Sequence, residues 1–146
     1  MRIVSFNVQN MRLRRARGHP RLDGARDDDA LELEGPLARA LDFADRRLTA
    51  AVLARADADI LCLQEVFDRP TLDFFLDPCL RAAGGHAYDH RLCVPGNDGH
   101  GRDIALDANR APRFARARPV NLPARQRIGD EWRGDGDDLD IVIRPD

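Results

Sequence analysis

Ala58-Asp59-Ile60-Leu61-Cys62-Leu63-Gln64-Glu65-Val66 is a short apolar run that ends on a carboxylate. An acidic turn precedes it and Phe67-Asp68-Arg69-Pro70 follows it. That length, bounded by polar residues and a proline, predicts a buried central strand. Continuous apolar character is what a strand covered on both faces requires. Glu65 then falls at the strand's C-terminal end, where open α/β sheets collect their ligands and chemistry. A strand-end glutamate taken alone is structural more often than functional, so its neighbours have to decide.

Upstream of this strand, Gly35-Pro36 opens a helix. Leu37, Leu41, Ala44, Leu48 and Val52 recur at helical spacing and predict its buried face, with Pro36 suited to the first turn. Asp42 and Arg46 are spaced as an i,i+4 pair on the other side. The helix fades near Ala56, and Asp57 to Asp59 turn the chain into the central strand. Met1 to Val8 reads as an earlier strand, with Asn7 and Gln9 at its exit. Between that strand and the helix, Arg12 to Asp29 lacks periodicity, carries Gly18, Pro20 and Gly24, and reads as a loop. Its Arg12-Leu13-Arg14-Arg15-Ala16-Arg17 segment has the charge to meet phosphates, but a solvated connection in an arginine-rich composition is the favoured reading. Strand, helix, strand in one sheet is a crossover unit with a buried helix face.

Downstream, Pro70 to Arg81 predicts a second helix, with Leu72, Phe75, Leu76 and Leu80 as its apolar face and Gly84-Gly85 as its stop. Ala87 to Val94 reads as a strand, Pro95 to Gly101 as a turn-rich loop, and Arg102 to Leu106 as another strand. Asn109 to Gly129 carries six arginines and three prolines and predicts an irregular or mobile segment. Leu139 to Ile143 fits a last strand. The chain divides into 1–106, which holds the organised elements, and 107–146, an arginine-rich tail region.

Composition excludes several chemistries. All 23 basic residues are arginine. Without lysine there is neither a Walker-type phosphate loop nor a Schiff base. Ser5 is the only serine and lies inside the first strand, which argues against a serine-nucleophile triad. The net charge of −2 offers no global footprint for nucleic acid, so such binding would need local arginine clusters. Cys62, Cys79 and Cys93 are odd in number, lack a CxxC spacing, and suit reduced thiols in a cytosolic protein. No signal-peptide segment or membrane-length run is present, so a cytoplasmic protein without membrane contact is expected.

If the first and central strands are neighbours, Asn7 and Glu65 converge at one sheet edge. A carboxylate and an amide oxygen, completed by waters and a substrate phosphate, form the sparse donor set that Mg2+ prefers. The pair "IVSFNVQNM" and "ADILCLQEV", separated by one helix, resembles the endonuclease/exonuclease/phosphatase superfamily, the DNase I-like fold. The resemblance covers roughly Met1 to Leu106, where Gly96 to Leu106 also looks like the loop and strand of bacterial members. It implies an α/β (α+β) fold: the first half of a two-sheet sandwich with helices on the outer face. It implies that Glu65 and Asn7 hold a catalytic Mg2+ or Mn2+, and that Asn97, Asp98 and Arg102 border the substrate groove. As plain turn residues those three fit equally well. Of the later family motifs, serine-aspartate-histidine is absent, and the one aspartate-x-asparagine, Asp107-Ala108-Asn109, stands where members continue an apolar strand.

Two functions follow as expectations. The first is a divalent-metal-dependent phosphoester hydrolase, a nuclease or phosphatase, whose substrate (DNA, RNA, phosphoinositide or another phosphoester) is open. The second is a truncated, catalytically incompetent half-domain that binds phosphate or associates with itself or with a missing C-terminal half. Other clusters carry less. His86, His90, Cys79 and Cys93 match no common zinc spacing. Asp135 to Asp140 lacks the register and distal glutamate of a calcium loop. The glycines around His100 do not make a dinucleotide fingerprint.

Overall fold

The computed structural model describes residues 1–15, 19–26, 35–94 and 103–108 with their side chains, and the backbone of four strands beyond them. Four strands form a mixed sheet: β1 (Ile3–Met11), β4 (Ile60–Val66), β6 (Asp103–Ala108) and β5 (His90–Val94), in that spatial order. β1 and β4 run parallel, with Ile3 opposite Ile60 and Asn7 opposite Gln64. β6 is antiparallel to both β4 and β5. The apolar run around Leu61 is thus a central strand with a neighbour on each side, and α1 (Pro36–Ala56) is the crossover that makes β1 and β4 parallel.

The sheet's two faces differ. Leu61, Leu63 and Val66 of β4, with Val8 and Ala105, turn toward the helices and bury against Ala50 and Leu53 of α1 and Leu72, Phe75, Leu76 and Leu80. Ile60, Leu106 and Ala108 point the other way and form a second cluster with Cys62 and Leu92. On β1 that second face carries Ile3, Ser5 and Asn7, all exposed.

The second predicted helix is split. α2 (Arg69–Phe74) is capped by Asp68, whose side chain accepts the Thr71 N–H at 2.7 Å, and it passes into a π-helical turn, Phe75–Leu80. Pro78 lies inside that turn and has no N–H to give the preceding turn, which the wider winding accommodates. The Arg81 N–H reaches back five residues to the Leu76 carbonyl at 3.2 Å. Gly85 closes the segment where a Cβ would sit 2.6 Å from Leu80 Cγ, so the stop needs glycine.

α1 overturns the predicted helix face. Leu37, Leu41 and Leu48 are 73%, 62% and 64% exposed, and Val52 is exposed as well. The buried residues are Asp42, Arg46, Thr49, Ala50 and Leu53. The reason lies in residues 21–26, which contain β3 (Arg21–Leu22). Asp42 accepts the Gly24 N–H at 3.0 Å, pairs with Arg21 at 2.6 Å, and also bonds Arg26. Asp42 and Arg46 therefore do not form the expected i,i+4 pair. Polar bonds fasten the first half of α1, and Ala50 and Leu53 fasten the second.

Two further expectations need correction. Residues 12–29 are not wholly loop, because β2 (Leu13–Arg14) pairs antiparallel with β3. Within 109–129, β7 (Arg113–Val120) and β8 (Gln126–Ile128) are strands; β7 pairs with β10 (Asp138–Arg144), and β8 with β9 (Glu131–Arg133). A strand fixed by a distant partner leaves little mark in its local pattern. No helix among the described residues is long and apolar enough to cross a membrane.

Candidate functional site

The ladder between β1 and β4 is regular through Asn7 and Gln64, then breaks. Met11 pairs with Val66, so four steps along β1 match two along β4. The register between β4 and β6 also slips between Leu63 and Val66. Bulges of this kind occur beside functional sites and re-aim side chains. Gln9, Asn10 and Glu65 all sit in the left-handed region, at φ 47°, 52° and 62°. Each such non-glycine residue costs on the order of 1 kcal/mol, and strain of this sort concentrates where function holds it.

The bulge brings Asn7 and Glu65 together, as the sequence predicts. Asn7 Nδ2 donates to Glu65 Oε1 at 2.9 Å, and the Asn10 backbone N–H donates to Oε2 at 2.9 Å. The Gln9 N–H donates to Asn7 Oδ1 at 2.7 Å, fixing the amide that fixes the carboxylate. Asn10 is buried, and its own side chain donates to the Arg26 carbonyl at 2.8 Å. Next to this pair, Gln64 Nε2 donates to Ser5 Oγ at 2.9 Å, continuing a polar row along the exposed face.

Each carboxylate oxygen of Glu65 accepts one hydrogen bond and keeps a further lone pair, as does Asn7 Oδ1. Oxygen donors on an exposed edge fit Mg2+ or Mn2+, whose shell is otherwise water and phosphate. Asn7 is exposed and Glu65 half-buried, so the edge opens to solvent. Among the described residues no group of three carboxylate, histidine or cysteine side chains converges to hold a metal. His86 bonds Asp57 at 2.6 Å, and Cys93 donates to Asp103 at 3.3 Å, with burial and that contact pushing its thiol up to about 12. Asn97, Asp98 and Arg102 lie outside the described residues.

Two arginines, Arg12 and Arg46, contact the segments that carry the site. The Arg12 guanidinium stacks over Phe67 at 5.2 Å, and the Phe67 N–H donates to Met11, so the exits of β1 and β4 are tied. Arg14, from the same basic segment, is bound to Asp23 at 2.8 Å. Arg46 is 3% exposed, and burial lowers its pKa to about 10 against the pull of Asp45, Asp23 and Asp42, so it stays charged at neutral pH. Sequence reasoning passed over Asn10 and assigned Arg46 to the solvated side of α1. The signal was present: Asp42, Arg46 and Thr49 recur at helical spacing, as the exposed leucines do.

No protein-family model, curated protein or solved structure matches the chain.

Proposed function

We propose that this chain carries the metal-binding end of a divalent-metal-dependent phosphoester hydrolase, of the endonuclease/exonuclease/phosphatase type that its β1 and β4 motifs resemble. The observation that supports it best is the contact between Asn7 and Glu65 on adjacent parallel strands, at a bulge with three left-handed residues. Glu65 would hold Mg2+ or Mn2+, with Asn7 beside it. When bound, such an ion polarises a phosphoryl oxygen and stabilises the charge that develops on it. The residues themselves do the positioning: Asn7 and the Asn10 N–H orient the carboxylate, and Arg12, stacked on Phe67 two residues past Glu65, would supply positive charge to a phosphate. In this reading the four-stranded sheet is one half of a two-sheet sandwich, and Asn97, Asp98 and Arg102 border the groove.

A second reading has its own support. No three carboxylate, histidine or cysteine side chains converge on a metal position among the described residues. Water activation and leaving-group protonation need an acid or base that Glu65 cannot also supply. The chain would then be a phosphate-binding or subunit-association module without turnover. Hydrolysis of bis(p-nitrophenyl) phosphate and p-nitrophenyl phosphate by the full chain, with MgCl2, MnCl2 or EDTA, separates the two. Metal-dependent turnover that falls about 100-fold or more in Glu65→Gln is expected. Turnover unchanged in that variant would sink the hydrolase assignment, and phosphate binding without turnover would select the second reading.

A further inference from the structure

We propose that Arg46 is the positioning residue of the Glu65 site and acts through two peptide planes at the exit of β1. Its guanidinium lies on the inner side of that exit. Nη1 donates to the Val8 carbonyl at 2.5 Å, Nη2 to the Gln9 carbonyl at 2.9 Å, and Nε to the Asp23 carbonyl. In a trans peptide unit the C=O and the N–H point in opposite directions. The unit that carries the Val8 carbonyl also carries the Gln9 N–H, which donates to Asn7 Oδ1. The unit that carries the Gln9 carbonyl also carries the Asn10 N–H, which donates to Glu65 Oε2. Arg46 therefore holds the inner ends of the two peptide groups whose outer ends orient Asn7 and Glu65.

The residue type matches this task. A guanidinium presents five N–H groups in a rigid fork, so one side chain can serve three carbonyls on two segments. An ammonium is a compact point charge and cannot span that geometry. The contact with a carboxylate is looser, with Asp45 Oδ2 4.0 Å from Nη1, so the fork is directed at backbone rather than at an ion pair. The inference rests on Glu65 being the functional carboxylate.

Amide hydrogen exchange on the full chain tests it, in the wild type, Arg46→Lys, Arg46→Met and the core variant Leu53→Ala. Both Arg46 variants are expected to lose protection at Gln9 and Asn10 by about tenfold or more relative to Leu61 and Leu63. Leu53→Ala is expected to lower all four amides together, as a merely structural role would. Folded Arg46 variants that keep protection at Gln9 and Asn10, or lose it in step with β4, overturn the proposal. If neither variant folds, the wild-type guanidinium decides: separate, slowly exchanging Nη signals support the clamp, and a freely rotating group overturns it. Titrating MgCl2 into the same samples separates this idea from the metal reading. A wild type indifferent to Mg2+ counts against a metal on Glu65 and leaves the exchange result standing. Mg2+ that binds the wild type and Arg46→Lys equally well overturns the positioning.

Discussion

Glu65 on β4 and Asp107 on β6 are carboxyl groups in adjacent strands of one sheet, and their surroundings are opposite. Glu65 is half-buried and both its oxygens accept a donor built for them. Asp107 is 0% exposed, lies opposite Leu61 in register on the helix-covered face, and neither oxygen has a partner among the described residues. Burial pushes its pKa up to about 8; Arg91 and Arg69 pull it down in part, and Asp73 adds to the rise. Arg91 stands directly across on β5, but its donors go to Asp73 at 2.7 Å, Asp77 at 2.5 Å and the Tyr88 carbonyl at 2.6 Å. Donors are aimed at the first carboxyl; the second, buried without them, holds its proton more tightly.

The largest effect that could break this contrast is on stability against pH. Asp107 takes up its proton more readily in the folded chain than in the unfolded one. Its contribution is therefore fully present below the unfolded pKa near 4 and is lost as pH rises to the folded value of about 8. Four pH units correspond to a fall of about 5 kcal/mol in unfolding free energy. Other perturbed groups act outside that window: bonding to Arg91 lowers Asp77, and burial raises the thiols of Cys62 and Cys79. Asp107→Asn should flatten the profile, leaving the chain nearly unchanged at pH 4 and distinctly more stable at pH 8. Urea midpoints across the range measure it; a wild-type profile as flat as the variant's means Asp107 has a partner.

A smaller effect of opposite sign is expected at Glu65. Glu65→Gln keeps one acceptor oxygen and turns an NH2 toward either Asn7 Nδ2 or the buried Asn10 N–H, leaving a donor facing a donor. The loss should be about 1–2 kcal/mol near neutral pH. The same carboxyl-to-amide change thus destabilises at one strand and stabilises at the next. Urea midpoints that move in the same direction for both variants at pH 8 would remove the distinction.

How much of this was legible depended on whether a signal was local. The β1–α1–β4 unit could be read because β4 is a continuous apolar run, β1 begins with β-favouring residues, and the segment between them repeats at helical spacing. The meeting of Asn7 and Glu65 followed, since parallel neighbours bring equivalent ends together. The bulge did not follow: nothing in Val8-Gln9-Asn10 announces two extra residues, and the strained conformations are held by Arg46 from another element. Asp107 was visible only as an odd residue in an apolar strand. The strands between 113 and 128 take their form from partners in sequence beyond them, where local composition suggests none.

α1 supplies the smallest expected effect, and it inverts Asp107, with apolar groups outside instead of a polar one inside. The periodicity of Leu37, Leu41, Ala44 and Leu48 is real, but a second period, Asp42, Arg46 and Thr49, runs along the opposite face and is the one the protein buries. Hydrophobic pattern alone favours the leucines. Bonds from Asp42 and Arg46 to residues 8, 9 and 21–26 favour the reverse, and a buried charge deprived of such bonds costs more than an exposed leucine. Leu41→Gln and Leu48→Gln keep helix propensity and should change stability by less than about 0.5 kcal/mol, as substitutions at exposed positions do. Leu53, 1% exposed on the same helix, should lose several times that on truncation to alanine. A loss at Leu41 as large as that at Leu53 would put the leucine stripe inside, and Arg46 could not then reach the carbonyls of β1.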